Sequence, residues 1–149
     1  MARVVVLDVD GTLMDTNYLH VEAWARAFEE VGHRVPRAEL HKQVGKGSNL
    51  LIAEFVDDEE TAQRVDELHS EFYSELQEYG HPLPGAKELI PSLTDRGYEV
   101  WFVTSAKDEE LEHHMAELEA EGSISGVVNS SAVEVYKNCA ALLESDFPE

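Results

Sequence analysis

Asp8 and Asp10 stand one residue apart, directly after the apolar run of residues 4–7 and directly before Gly11, Thr12 and Leu13. A continuous apolar run reads as a strand buried on both faces of a parallel sheet. The carboxyl end of such a strand is where open α/β sheets bind their ligands. Two carboxylates brought together there repel, and burying them is costly unless a cation or a chemical task compensates. An unprotonated aspartate so placed can attack phosphorus and form an aspartyl-phosphate. A second carboxylate two residues along can protonate the leaving oxygen and then activate water. A hard cation such as Mg²⁺, held by carboxylates, a backbone carbonyl and waters, would offset the repulsion between aspartate and phosphate. The same spacing occurs in polar turns and acidic calcium-type loops, but the apolar strand in front and Thr12-Leu13 behind favour phosphoryl transfer.

Two further stations follow in the chain. Thr104 and Ser105 come straight after the apolar run of residues 98–103, where a hydroxyl could hydrogen-bond a phosphate oxygen lying over Asp8. Either residue could instead do no more than cap the next helix. Lys137 comes shortly after a third short run, residues 126–129, and could neutralise the phosphate. A solvated surface lysine is the alternative. His113 and His114 are adjacent on a polar helix with no ligand spacing, and read as solvated surface.

The elements that must position these residues alternate between strand and helix. Residues 16–31 place Val21, Trp24, Ala25, Phe28 and Val31 on one helical face, stopped by Gly32. Pro36 can open the next helix, which Gly45 and Gly47 break before residues 50–56. Asp58 and Thr61 start a long amphipathic helix with Ala62, Val65, Leu68, Phe72, Leu76 and Tyr79 along one stripe. Residues 80–85 are rich in Gly and Pro and suit a hinge. Helix 86–96 turns Leu89, Ile90 and Leu93 inward, strand 98–103 follows, and helix 107–121 turns Leu111, Met115 and Leu118 inward. Strand 126–129 and a helix over residues 138–144 complete the series. Parallel strands joined by helical crossovers give an α/β fold.

Composition narrows the partners. The 149 residues carry 31 acidic and 11 basic side chains, a formal net charge of −20. Such a body is repelled by nucleic acid and by anionic membrane surfaces, and a charge spread along the whole chain suits concentrated salt. No apolar run reaches the roughly 18 residues of a membrane span. Asp8 interrupts what could have been a signal-peptide core. Cys139 stands alone, so no intrachain disulfide forms and a cytoplasmic setting fits.

In this order, Asp8-x-Asp10-Gly11-Thr12, Thr104 and Lys137 resemble the first three motifs of the haloacid dehalogenase superfamily of phosphotransferases, over nearly the whole chain. Asp15-Thr16-Asn17-Tyr18-Leu19-His20 and Ala23-Trp24 resemble its phosphoglycolate phosphatase and beta-phosphoglucomutase branch. The resemblance implies a Rossmann-type parallel-sheet α/β core over residues 1–15 and 81–149, with residues 16–80 inserted as a helical-bundle cap. Asp8 would be the nucleophile and Asp10 the general acid/base, with Mg²⁺ held by Asp8 and the Asp10 carbonyl. Thr104, with Ser105, and Lys137 would grip phosphate. His20 would help sense substrate or cap closure, with plain helix packing as the alternative. Gly45-Lys46-Gly47-Ser48-Asn49 resembles the cap loop that reaches the substrate, so Lys46 could meet an anionic group there. Asn49 stands where the sugar-phosphate mutases carry an arginine, which favours a phosphatase over a mutase.

The resemblance breaks after Lys137, where the family continues with a proline-rich turn, a helix and a strand ending in acidic metal ligands. Here Asn138-Cys139-Ala140-Ala141 follow, and Asp146 has no strand leading into it. On this pattern the chain reads as C-terminally truncated and its sheet as incomplete. Mg²⁺ would lack a third protein carboxylate. Residues 4–9 would form an exposed apolar edge, to be covered by residues 139–147 or by a second copy in a homodimer, or else left bare in a marginally stable fold. Three readings stand side by side: a Mg²⁺-dependent phosphatase acting on a small phosphorylated metabolite, an inactive fragment or binding module, and a sugar-phosphate mutase.

Overall fold

The computed structural model describes residues 3–129. Lys137, Cys139, Asp146 and the helix expected over residues 138–144 lie outside the described residues. The chain divides into two compact units, Met1–Asp15 with His81–Glu149, and Thr16–Gly80.

In the first unit, β1 (Arg3–Leu7), β2 (Tyr98–Val103) and β3 (Gly126–Val128) form a parallel sheet in the order β1-β2-β3. Arg3 pairs with Tyr98 and Leu7 with Phe102, while Trp101 pairs with Gly126 and Val103 with Val128. Parallel neighbours need long crossovers. Helix α5 (Ala86–Asp95) packs on β2, and α6 (Asp108–Glu117) lies between β2 and β3 in the chain. The core gathers Val9, Leu13, Met14, Ile90, Val100, Phe102 and Leu118.

Two faces of this unit depart from the sequence expectation. β1 is not buried on both faces: Val4 and Val6 remain 41% and 38% exposed. Among the described residues β1 stands at one end of the strand order, and Leu7, followed past the strand by Val9, Leu13 and Met14, packs into the core. Leu89 also faces outward, at 39% exposure, because its helical neighbour Ile90 takes the place against the core. Adjacent helical residues point about 100° apart, so both cannot face one sheet.

The second unit is helical: α1 (Asn17–Glu30), α2 (Arg37–His41), α3 (Ser48–Ala53) and α4 (Glu59–Leu76), followed by a 3₁₀ turn, Gln77–Tyr79. Helix α1 ends in a Schellman arrangement, with Gly32 at φ 82°. Its amide donates to Glu29 and the His33 amide to Phe28, a closure that needs the left-handed backbone glycine adopts freely. Helix α4 opens as expected, Asp58 Oδ1 accepting from the Thr61 amide at 2.8 Å. Trp24, Phe28, Leu40, Leu51, Ile52, Val65 and Leu68 form the core between the helices. The stripe of α4 differs from expectation at its end. His69 and Tyr73 are buried, whereas Tyr79 lies beyond the helix and is 62% exposed.

Candidate active site

The chain leaves β1 at Leu7 and turns at once. The amides of Thr12, Leu13 and Met14 all donate to the Val9 carbonyl, and the Gly11 amide donates to Met14 at 2.8 Å. Gly11 takes φ 75°, the conformation that lets the backbone double back so tightly. Val9, Leu13 and Met14 are buried beneath the turn, anchoring it to the core. The alternation that buries Val9 leaves Asp8 and Asp10 to flank it. The turn is braced on its outer side, where Leu83 donates to Leu13 and Asp15 to His81, each at 2.8 Å.

Asp8 Oδ2 accepts from the Thr12 hydroxyl at 3.2 Å. The residue keeps solvent access on its open side, yet the protein packed beneath its carboxyl partly desolvates it. That desolvation is the main cause of a pKa raised above the ordinary aspartate value. The Val9 backbone amide opposes the rise, the Asp10 charge adds to it, and the Thr12 hydrogen bond again opposes it. The Asp10 side chain is 15% exposed.

Thr104 leaves β2 at the same edge of the sheet. Leu7 pairs with Phe102, so Asp8 lies one residue past that rung and Thr104 two. Thr104 is 2% exposed; its amide donates to Val128 at 3.0 Å and its hydroxyl oxygen accepts from the Ala106 amide at 3.1 Å. That second bond shapes the turn into α6. Ser105 beside it is half-buried. Asn129, at the end of β3, donates to the Asp108 carboxylate and ties the third strand to the start of α6.

The structure thus brings Asp8, Asp10, Thr104 and Ser105 to one edge of one sheet. Two other expected site residues, Lys46 and His20, have partners of their own in the second unit. Lys46 is ion-paired to Glu54 at 3.0 Å. The His20 ring stacks on Tyr73 with centroids 4.0 Å apart, and its Nδ1 lies 3.2 Å from His69 Nε2.

One residue at this edge overturns its sequence reading. His114 is not solvated surface but fully buried, and its Nε2 lies 3.2 Å from Asp10 Oδ1. The signal was present: with Leu111, Met115 and Leu118 it completes the i, i+3, i+4, i+7 spacing of an inward helical face. Its polar side chain and the neighbouring His113 concealed it.

Asp8 and Asp10 offer hard oxygen donors, the type a small divalent cation takes when water and substrate oxygens complete its shell. Such a cation would also relieve the repulsion that raises Asp8. Among the described residues no group of three His, Cys, Asp or Glu side chains could hold a metal. The fit is therefore to a site of one or two carboxylates, not to an all-protein cage.

Residues 5–145 match the model of the haloacid dehalogenase-like hydrolase family. The chain belongs to this family. Among curated proteins, this haloacid dehalogenase-like chain is 29% identical over 114 residues to a phosphoglycolate phosphatase of Pseudomonas fluorescens, covering 70% of the chain and 42% of that protein. It is 30% identical over 115 residues to a bifunctional riboflavin kinase/FMN phosphatase of Arabidopsis thaliana, covering 75% of the chain and 30% of that protein. Among solved structures, a hydrolase from Pseudomonas syringae superposes with a TM-score of 0.81 at 25% identity, covering 88% of the chain and 62% of the other. The chain spans less than half the length of the curated relatives it matches. Its parallel-sheet α/β architecture is that of the haloacid dehalogenase-like fold.

Proposed function

We propose that the chain hydrolyses a small phosphomonoester through a phosphorylated Asp8, with Mg²⁺ as cofactor. The observation that carries this reading is the juxtaposition of Asp8 and Asp10 on one glycine turn, at the edge where Thr104 leaves β2. An Asp8 oxygen attacks phosphorus while the bond to the substrate's bridging oxygen breaks, and Asp10 gives that oxygen its proton. Asp10, now a carboxylate, takes a proton from the water that attacks the same phosphorus. Inorganic phosphate leaves and Asp8 is restored. Thr104 and Ser105 hold phosphate oxygens, with Lys137 as counter-charge. Mg²⁺, held by Asp8 and Asp10, supplies positive charge against the phosphate when bound. Residues 16–80 act as the cap, Lys46 meeting an anionic group of the substrate and His20 responding to closure. The names of two curated relatives, a phosphoglycolate phosphatase and a bifunctional riboflavin kinase/FMN phosphatase, support this reading.

The acidic surface suits work in concentrated salt, and the exposed Val4 and Val6 make β1 the edge at which a second copy would pair. One observation favours a second reading, binding without turnover: the lack of a third metal donor among the described residues. Phosphate release from p-nitrophenyl phosphate, with Mg²⁺ and with a chelator, separates the two. Turnover that the chelator abolishes supports the phosphatase. Mg²⁺ binding in calorimetry without any release supports the binding module.

A further inference from the structure

His114 is fully buried on α6, with its Nε2 3.2 Å from Asp10 Oδ1. Neither ring nitrogen makes a well-aligned hydrogen bond among the described residues. On the inward side of α6, His114 stands with the apolar Leu111, Met115 and Leu118 and with the buried Glu110 one turn earlier, whose Oε2 accepts from the Lys107 amide at 3.4 Å. An imidazole buried without a partner is costly, so the ring is best accounted for by the carboxyl it meets. Two lone pairs facing each other at this distance, shielded from water, would repel. A proton on Nε2 facing Oδ1 would turn this contact into a hydrogen bond.

We propose that His114 is the positioning residue of Asp10. It shares one proton with Oδ1 and so holds the carboxyl in the orientation from which it serves the leaving oxygen. The contact stands on the geometry alone; its catalytic meaning rests on the phosphatase reading. Misplacement of an acid/base group by about 1 Å can cost on the order of a hundredfold in rate.

The contact is tested without turnover, by long-range ¹H–¹⁵N spectra of the imidazoles in the full chain at one fixed neutral pH, with His114→Gln assigning the signal. The expected result is that Asp10→Asn displaces the His114 nitrogen resonances while the other imidazoles stay in place. His114 resonances that ignore Asp10→Asn would overturn the proposal. The catalytic arm uses p-nitrophenyl phosphate and Mg²⁺. His114→Leu should lower kcat by roughly tenfold or more, leave KM within about twofold, and be partly rescued by His114→Gln. An unchanged kcat in His114→Leu would also overturn it. A wild-type chain with no turnover at all would sink the phosphatase reading, while the spectra still decide the contact.

Discussion

Asp8 concentrates the tension in this chain. Desolvation and the neighbouring Asp10 raise its carboxyl above the ordinary range, so the folded state carries a repulsion that only a cation or a proton relieves. With metal removed by a chelator, Asp8→Asn should therefore raise the thermal unfolding midpoint. Solvent on the open side of Asp8 screens the effect, so the gain stays below about 1 kcal/mol. A lowered midpoint in calorimetry would contradict the account. At this scale the sequence was legible where chemistry and backbone coincide. Asp8, Asp10 and Gly11 had to share a turn, because an apolar strand runs straight into a residue that permits φ 75°. Thr104 was legible for the same reason, at the end of β2. His114 was not, because a single histidine among Glu109, Glu110, Glu112 and His113 carries no mark of burial except its spacing from Leu111 and Leu118.

Two contacts let the elements be tested one at a time. Gly126 stands opposite Trp101 in the β2–β3 pairing, and a Cβ there would fall on the indole ring. Gly126→Ala should destabilise the first unit by about 1–3 kcal/mol, the usual range for overpacking, and should perturb tryptophan fluorescence. Unchanged stability would show that the ring yields freely. In the second unit, Glu22 of α1 accepts from Arg37 of α2 at 2.7 Å and from Arg26 at 3.0 Å. The Arg37 hydrogen bond is the main cause that holds the Glu22 carboxyl below its usual range. A depressed folded pKa gives stability above the unfolded value, about 4.3, that is lost as pH falls through the lower folded value. Glu22→Gln should thus cost no more than about 1 kcal/mol at pH 7 and nothing in acid below both values. Urea unfolding at the two pH values checks this, and an equal deficit at both would refute it. β2 was legible residue for residue, because a short apolar run ends against Gly97 on one side and Thr104 on the other. The face of α4 was less so, since His69 and Tyr73 take core positions that polar residue types disguise.

For the molecule as a whole, a net charge of −20 means that self-repulsion works against every compact state. Raising KCl from about 0.1 to about 1 M shortens the screening length from about 10 to about 3 Å. The unfolding midpoint should climb over that range, and a flat response would show that the acidic side chains are too far apart to matter. The exposure of Val4 and Val6 was not legible in the apolar run, which taken alone pointed to burial on both faces, and the exposed edge expected over residues 4–9 stops short of the buried Val9. The chain spans 42% and 30% of two of the curated relatives it matches, so turnover by these 149 residues is what most needs testing. The most direct measurement is the rate of phosphate release from p-nitrophenyl phosphate by the full chain with Mg²⁺, wild type beside Asp8→Asn. The expected result is measurable turnover by the wild type and a loss on the order of a thousandfold or more in the variant, which stays folded. Release by Asp8→Asn at the wild-type rate, or none from the wild type, would contradict it.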